Sequence, residues 1–112
     1  SFYQRKEVKD LIAYLRLAVN PNDDEAFRRV INYPKRGIGN TTVDKAGELA
    51  ASLDQPLWQS IGNLQASARA KNAIADFVGM IKEFNRRAAT DNAHELASYI
   101  AKRSGILDEL KQ

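Results

Sequence analysis

The sequence predicts an all-α protein, a helical bundle with a helix-hairpin-helix element at Gly37-Ile38-Gly39. Three observations lead there. Apolar residues recur three and four apart along most of the chain, the spacing of one helix face. No run alternates apolar and polar residues with period two over the length of a strand. Each periodic run is bounded by helix start and stop chemistry, supplied by short polar side chains, Pro or Gly.

The first helix is expected over Arg5 to Val19, where Val8, Leu11, Ile12, Leu15 and Val19 form the inward stripe. Lys6 and Asp10 stand one turn apart and can pair on the wet side. Asn20-Pro21-Asn22 stops this helix, because Pro cannot continue one and pushes the residue before it out of the αR region. Asn22 is placed to cap the second helix, with Glu25 three residues on to return the bond and Asp23 and Asp24 favouring the positive dipole end. That helix turns Phe27, Val30 and Ile31 inward and Arg28 and Arg29 outward, and it ends at Asn32.

The hairpin follows as Tyr33-Pro34-Lys35-Arg36-Gly37-Ile38-Gly39, and the next helix opens on Asn40-Thr41-Thr42. Glycines at 37 and 39 can take positive φ and leave their N–H groups uncovered by a Cβ, so the backbone can approach a bulky anion. Ile38 is expected to point inward and fill the angle between the two helices. The free N–H groups and positive dipole end of the following helix favour a phosphate oxygen at that spot. Lys35 and Arg36 add full charges beside it, and Asn40, Thr41 and Thr42 add short hydrogen-bond donors. The implied ligand is the DNA backbone, read without regard to sequence. The plain alternative is a helix C-cap and turn with no ligand.

Beyond the hairpin, Thr41 with Asp44 matches a second capping pair, and Val43, Ala46 and Ala50 form a narrow apolar stripe. Asp54 is expected to cap a short helix, with Pro56 near its first position, Leu57, Trp58 and Ile61 as anchors and Gly62 as its stop. Trp58 reads as core, with base stacking as the alternative. A long helix from about Gln65 to Ala88 carries Ala73, Ile74, Phe77, Ile81 and Phe84 on one face. Its cations Arg69, Lys71, Lys82, Arg86 and Arg87 form a solvated face or a second DNA-contacting surface. Asp91 or Asn92 starts another helix, with Leu96, Tyr99 and Ile100 inward, Lys102 and Arg103 in its last turn, and Gly105 as a left-handed cap. Ile106, Leu107 and Leu110 begin a last helix that the chain end truncates.

The 112 residues make one domain, and a net charge of +3 permits nucleic-acid binding without demanding it. No cysteine is present, which removes a disulfide framework and any thiolate metal site and fits a reducing, cytoplasmic compartment. No apolar run is long enough to cross a membrane. Position 42 is Thr where a dinucleotide fingerprint would need its third Gly, and no G-x-x-x-x-G-K-[ST] loop occurs. His94-Glu95 starts like a zinc-protease motif, but Ser98 stands where the second His should fall, so no metal site is expected. No catalytic residue is assigned. The chain opens at Ser1 with no initiator Met, as if cut from a longer protein.

The segments Phe2 to Asp10 (FYQRKEVKD), Ala13 to Leu17 (AYLRL), Asn20 to Val30 (NPNDDEAFRRV) and above all Asn32 to Thr42 (NYPKRGIGNTT) resemble the accessory 2B subdomain of superfamily I DNA helicases of the UvrD, PcrA and Rep type. Leu57-Trp58 and Ser104-Gly105-Ile106 fall where that family tends to have an LW pair and an SGL-like turn. The resemblance implies an all-helical insertion within the second motor domain, whose GIG hairpin touches duplex DNA ahead of the fork. It implies Lys35, Arg36, Gly37, Ile38, Gly39, Asn40, Thr41 and Thr42 as the duplex contact. ATP and Mg²⁺ would then belong to motor domains of the same chain, with no cofactor here. Two other classes stay open. One is a helix-hairpin-helix repair enzyme such as a glycosylase, with Asp44, Glu48 or Asp54 as the nearby acid. The other is a helical protein-interaction module.

Overall fold

A computed structural model describes residues 5–111; Ser1, Phe2, Tyr3 and Gln4, and with them the start of the FYQRKEVKD segment, lie outside the described residues, as does Gln112. Its elements are helices α1 (Lys6–Val19), α2 (Asp24–Val30), α3 (Asn40–Leu53), α4 (Leu57–Ser60), α5 (Ala68–Ala88), α6 (Ala93–Ser104) and α7 (Ile106–Leu110), with a 3₁₀ turn at Ile61–Asn63. The fold is all-α, and no strand occurs among the described residues.

Helix α1 is the hub, packing against α2, α5, α6 and α7. Because neighbours close on several of its sides, the face that goes deepest is Asp10, Ala13, Tyr14, Leu17 and Ala18. The expected stripe of Val8, Leu11, Ile12, Leu15 and Val19 therefore needs correction. Leu11 and Leu15 only lean on the core, whereas Ile12 is 48% and Val19 72% exposed. The core joins Tyr14 and Leu17 to Phe27 and Val30 of α2, to Phe77, Ile81 and Phe84 of α5, and to Ile100 and Ile106. Phe27 meets Phe77 edge to face at 5.4 Å between ring centroids, and Phe84 meets both Tyr14 and Tyr99 in the same way at 6.1 Å. Such quadrupole-favoured pairs fix ring orientation as well as burying area. Trp58 is half-buried against this core. Helix α3 sits to one side, resting on α4 and the 3₁₀ turn through Ala46 and Ala50.

The lid on Asp10 is a second correction. Lys6 Nζ reaches it at 2.7 Å as the spacing predicts, but Asp10 is 1% exposed, and Arg29 Nε closes on its other oxygen at 2.7 Å. The pair is thus a buried carboxylate held by two cations whose own ends stay wet, an arrangement that removes the cost of an unpaired buried charge.

Of the two expected starts of α6 the cap is Asn92, which forms a reciprocal capping box with Glu95, and Gly105 ends that helix at φ 96° as expected. Elsewhere three expected caps change. Asp23, not Asn22, caps α2 by accepting from Ala26 N–H at 3.1 Å, while Asn22 binds the Gln59 amide at 3.3 Å. Thr41 and Asp44 form no box, because α3 starts at Asn40 with Gly39 as its cap and carries no side-chain cap bond. Asp54 closes α3 in the left-handed region at φ 51° instead of opening α4. The first N–H of α4, that of Leu57, is taken by Asp24 at 3.0 Å from across the fold. Ser67 caps α5, which begins at Ala68 and not near Gln65. Gly62 lies within the 3₁₀ turn that follows α4.

Candidate nucleic-acid interface

Residues 31–39 connect α2 to α3, and the chain pins this loop with its own side chains. Asn32 Oδ1 accepts from the N–H groups of Arg36 and Ile38, both at 3.1 Å, so one amide folds six residues back on themselves. The Tyr33–Pro34 peptide is cis. Gly37 takes φ 85°, a region that an L side chain enters only with strain. Ile38 then points inward, fully buried in the core. Gly39 departs from expectation: at φ −79° and ψ 169° it is extended. A helix N-cap needs β-region backbone, so only the first glycine supplies the left-handed turn.

Arg36 divides from Lys35 at this point. Its Nη2 donates to Tyr33 O at 2.8 Å and to the Tyr14 hydroxyl, and its guanidinium lies 5.2 Å from the centroid of the Phe77 ring. The Tyr14 hydroxyl donates in turn to Tyr33 O and, at 3.3 Å, to Val30 O. Burial lowers the Arg36 pKa from its ordinary value, opposed by Tyr14 and reinforced by the charge of Arg103. Burial also pushes the Tyr14 hydroxyl up to about 12. Arg36 is therefore a brace that ties the loop to α1 and α5. On the far side Pro34 rests against the α6–α7 turn, where a Cβ on Gly105 would lie 3.3 Å from its ring.

The outward face of the loop is different. Lys35, Gly37, Gly39, Asn40 and Thr41 are exposed and Thr42 is half-exposed. Together with Asn32 and Ile38, the loop lines an open groove of about 410 Å³ whose other wall is Ser67, Arg69 and Ala70 of α5. The N-cap residues of α3 and α5, Gly39 and Ser67, both line this groove, so two positive dipole ends lie beside it. Ser67 already takes the Ala70 N–H, whereas α3 carries no side-chain cap, and Asn40, Thr41 and Thr42 are not among the lining residues. Arg69 Nε lies 3.5 Å from where a Cβ on Gly37 would stand. No carboxylate lines this groove. Neither Lys35 nor Arg69 has an ion pair among the described residues. Sequence reasoning missed Asn32 as the loop's clamp and Ser67 and Arg69 as its opposite wall. The clamp had a signal in the sequence, an Asn at a helix end before a glycine turn. The wall had none, since nothing in the spacing brings residue 69 to residue 37.

The acids that a repair enzyme would need do not gather here. Asp44 and Glu48 are exposed along α3, and Asp54 lies past the far end of a 14-residue helix, about 20 Å from Gly39 at 1.5 Å per residue. His94 is exposed in the first turn of α6, and among the described residues no cluster of His, Cys, Asp or Glu could hold a metal ion. No described helix is long and apolar enough to cross a membrane.

Residues 1–66 match the model of the UvrD-like helicase C-terminal domain. The chain is similar to the ATP-dependent DNA helicase PcrA of Bacillus subtilis (strain 168), at 38% identity over 98% of this chain and 15% of the relative. It is similar to DNA helicase II of Escherichia coli (strain K12), at 36% identity over 94% of this chain and 15% of the relative. It is also similar to the ATP-dependent DNA helicase Rep of Buchnera aphidicola, at 42% identity over 74% of this chain and 13% of the relative. The chain spans about 15% of the length of the curated relatives it matches first. With a family match that covers more than half of the chain, from α1 through the α2–α3 loop and past α4, the chain belongs to the UvrD-like helicase C-terminal domain family.

Proposed function

We propose that this chain is a 2B-type accessory subdomain of an ATP-dependent DNA helicase, non-catalytic by itself, that holds the backbone of duplex DNA through a helix-hairpin-helix element. Supporting this is one observation above the others: a groove without carboxylates in which Lys35, Arg69 and the N-termini of α3 and α5 converge on the uncovered backbone of Gly37 and Gly39. Phosphate oxygens are the natural occupant of such a site, and they carry no sequence information. Lys35 supplies charge, and the N–H groups and side chains of Asn40, Thr41 and Thr42 supply donors. Gly37 and Gly39 let the backbone approach. Ile38 and Arg36 hold the loop in shape from below. ATP, Mg²⁺ and strand translocation then belong to motor domains of the same longer protein, in keeping with the names of the relatives.

The test is fluorescence anisotropy on two unrelated duplexes across a salt series. Lys35→Ala should weaken binding about equally on both and flatten the slope of log K against log salt by roughly 0.9, the value for one phosphate contact. Arg86→Ala, an exposed cation elsewhere on α5, should leave the slope unchanged. Equal losses in the two variants would show charge attraction with no defined site. Nucleotide turnover by the pure chain, abolished by a substitution within it, would refute the non-catalytic assignment.

A further inference from the structure

A second cleft, of about 680 Å³, opens between the hairpin, α5 and the C-terminal end of α6. Arg36, Arg69 and Arg103 line it together with Asn72, and the one carboxylate on its wall is Asp76. Arg69 lines both this cleft and the hairpin groove, so one guanidinium borders the two. We propose that the Arg36–Arg69–Arg103 cleft is a second phosphate site, taking a further phosphodiester of the same DNA backbone that the hairpin groove holds. The proposal extends the reading of the hairpin as a phosphate contact.

Three features carry it. Two of the three guanidinium charges, Arg36 and Arg69, have no ion pair among the described residues, and Arg103 has one, to Glu83 at 3.3 Å, with half of its side chain exposed. Arg36 reaches the cleft wall with its guanidinium already anchored through Nη2 to Tyr33 O and the Tyr14 hydroxyl, so its charge is held in place there. Three like charges sharing one cleft repel one another, and a polyanion relieves that repulsion. Arginine suits the task better than lysine, because its planar fork meets two phosphate oxygens at once. The volume is in the range of ligand-sized sites, and the shared Arg69 sets the cleft beside the groove in which the hairpin would hold a strand. An acidic peptide would find the same charges but has no reason to share a wall with the hairpin groove.

The experiment is the same anisotropy salt series on short duplexes, with the 112-residue chain carrying Arg103→Gln, Arg69→Gln or Asp76→Asn, and with Lys35→Ala and Arg86→Gln as references. Thermal melts first establish that each variant is folded. Arg103→Gln and Arg69→Gln should each flatten the slope by roughly 0.9, and Lys35→Ala with Arg103→Gln by roughly 1.8. Asp76→Asn should tighten binding about threefold by removing an exposed repulsive charge, an effect no packing role would produce. Arg69 borders both sites, so Arg103→Gln decides between them: if Lys35→Ala flattens the slope while Arg103→Gln behaves like Arg86→Gln, the cleft is not a phosphate site and the hairpin reading stands. If Arg103→Gln flattens it and Lys35→Ala does not, the cleft binds the backbone and the hairpin reading fails.

Discussion

Replacing each hairpin glycine by alanine separates a turn that needs glycine from a helix cap that happens to use one. Gly37 stands at φ 85°, and a Cβ built there would meet Arg69 at 3.5 Å, which is ordinary contact. The penalty for Gly37→Ala is therefore backbone strain and not collision, about 1–2 kcal/mol for an L residue held in the left-handed region. Gly39 is extended at φ −79°, and a Cβ there meets nothing within 4 Å. For Gly39→Ala, the loss of unfolded-chain entropy stabilises by about 0.4–1 kcal/mol, offset by alanine's weakness as an N-cap, so the net change should lie near zero. At about 4–8 °C per kcal/mol for a domain near this size, Gly37→Ala should melt about 4–16 °C below the parent while Gly39→Ala stays close to it. Differential scanning calorimetry reads both. Equal midpoints for the two variants, or a larger drop for Gly39→Ala, would refute the assignment of the left-handed turn to Gly37.

Two further outcomes test the supports beneath the hairpin. Tyr14→Phe deletes a buried hydroxyl bonded to Tyr33 O, Val30 O and Arg36, but Tyr33 O keeps its Arg36 bond, so urea unfolding should show a loss of about 1–2 kcal/mol. Because burial raises the Tyr14 pKa from 10.0 to about 12, the folded state favours the protonated hydroxyl. Its contribution is complete below pH 10 and is lost as pH rises toward 12, so the parent should lose stability over that window more steeply than Tyr14→Phe. A parallel decline in both proteins would disprove it. Asp10→Asn should cost about 1–3 kcal/mol in urea unfolding, since Asp10 is buried and bonded to Lys6 and Arg29 at 2.7 Å. A loss below about 0.5 kcal/mol would show the cluster to be worth no more than an exposed ion pair.

What the sequence determined by itself was set within a turn or two of chain. Helical periodicity placed the long helices, Asp91 or Asn92 and Gly105 marked the ends of α6, and an apolar residue between two glycines marked Ile38 as the inward point of the hairpin. These depend on neighbours three or four residues away, so the local string contains them. Tertiary structure decided everything that needs a partner from elsewhere. Helix α1 carries two faces that could go inward, and the arrival of α2, α5, α6 and α7 chose the one with Tyr14 and Asp10 over the more apolar one with Ile12 and Val19. Adjacent cations Lys35 and Arg36 read alike in sequence, yet only the packing of Tyr14 and Phe77 beneath the loop draws Arg36 inward and leaves Lys35 in solvent. Arg69 reads as one surface cation among several, and it joins the groove because the start of α5 is folded against Gly37. Caps show the same division in miniature. A helix end needs any nearby oxygen, and at Leu57 the core-driven approach of α2 to α4 brings Asp24 across 33 positions of chain to provide it.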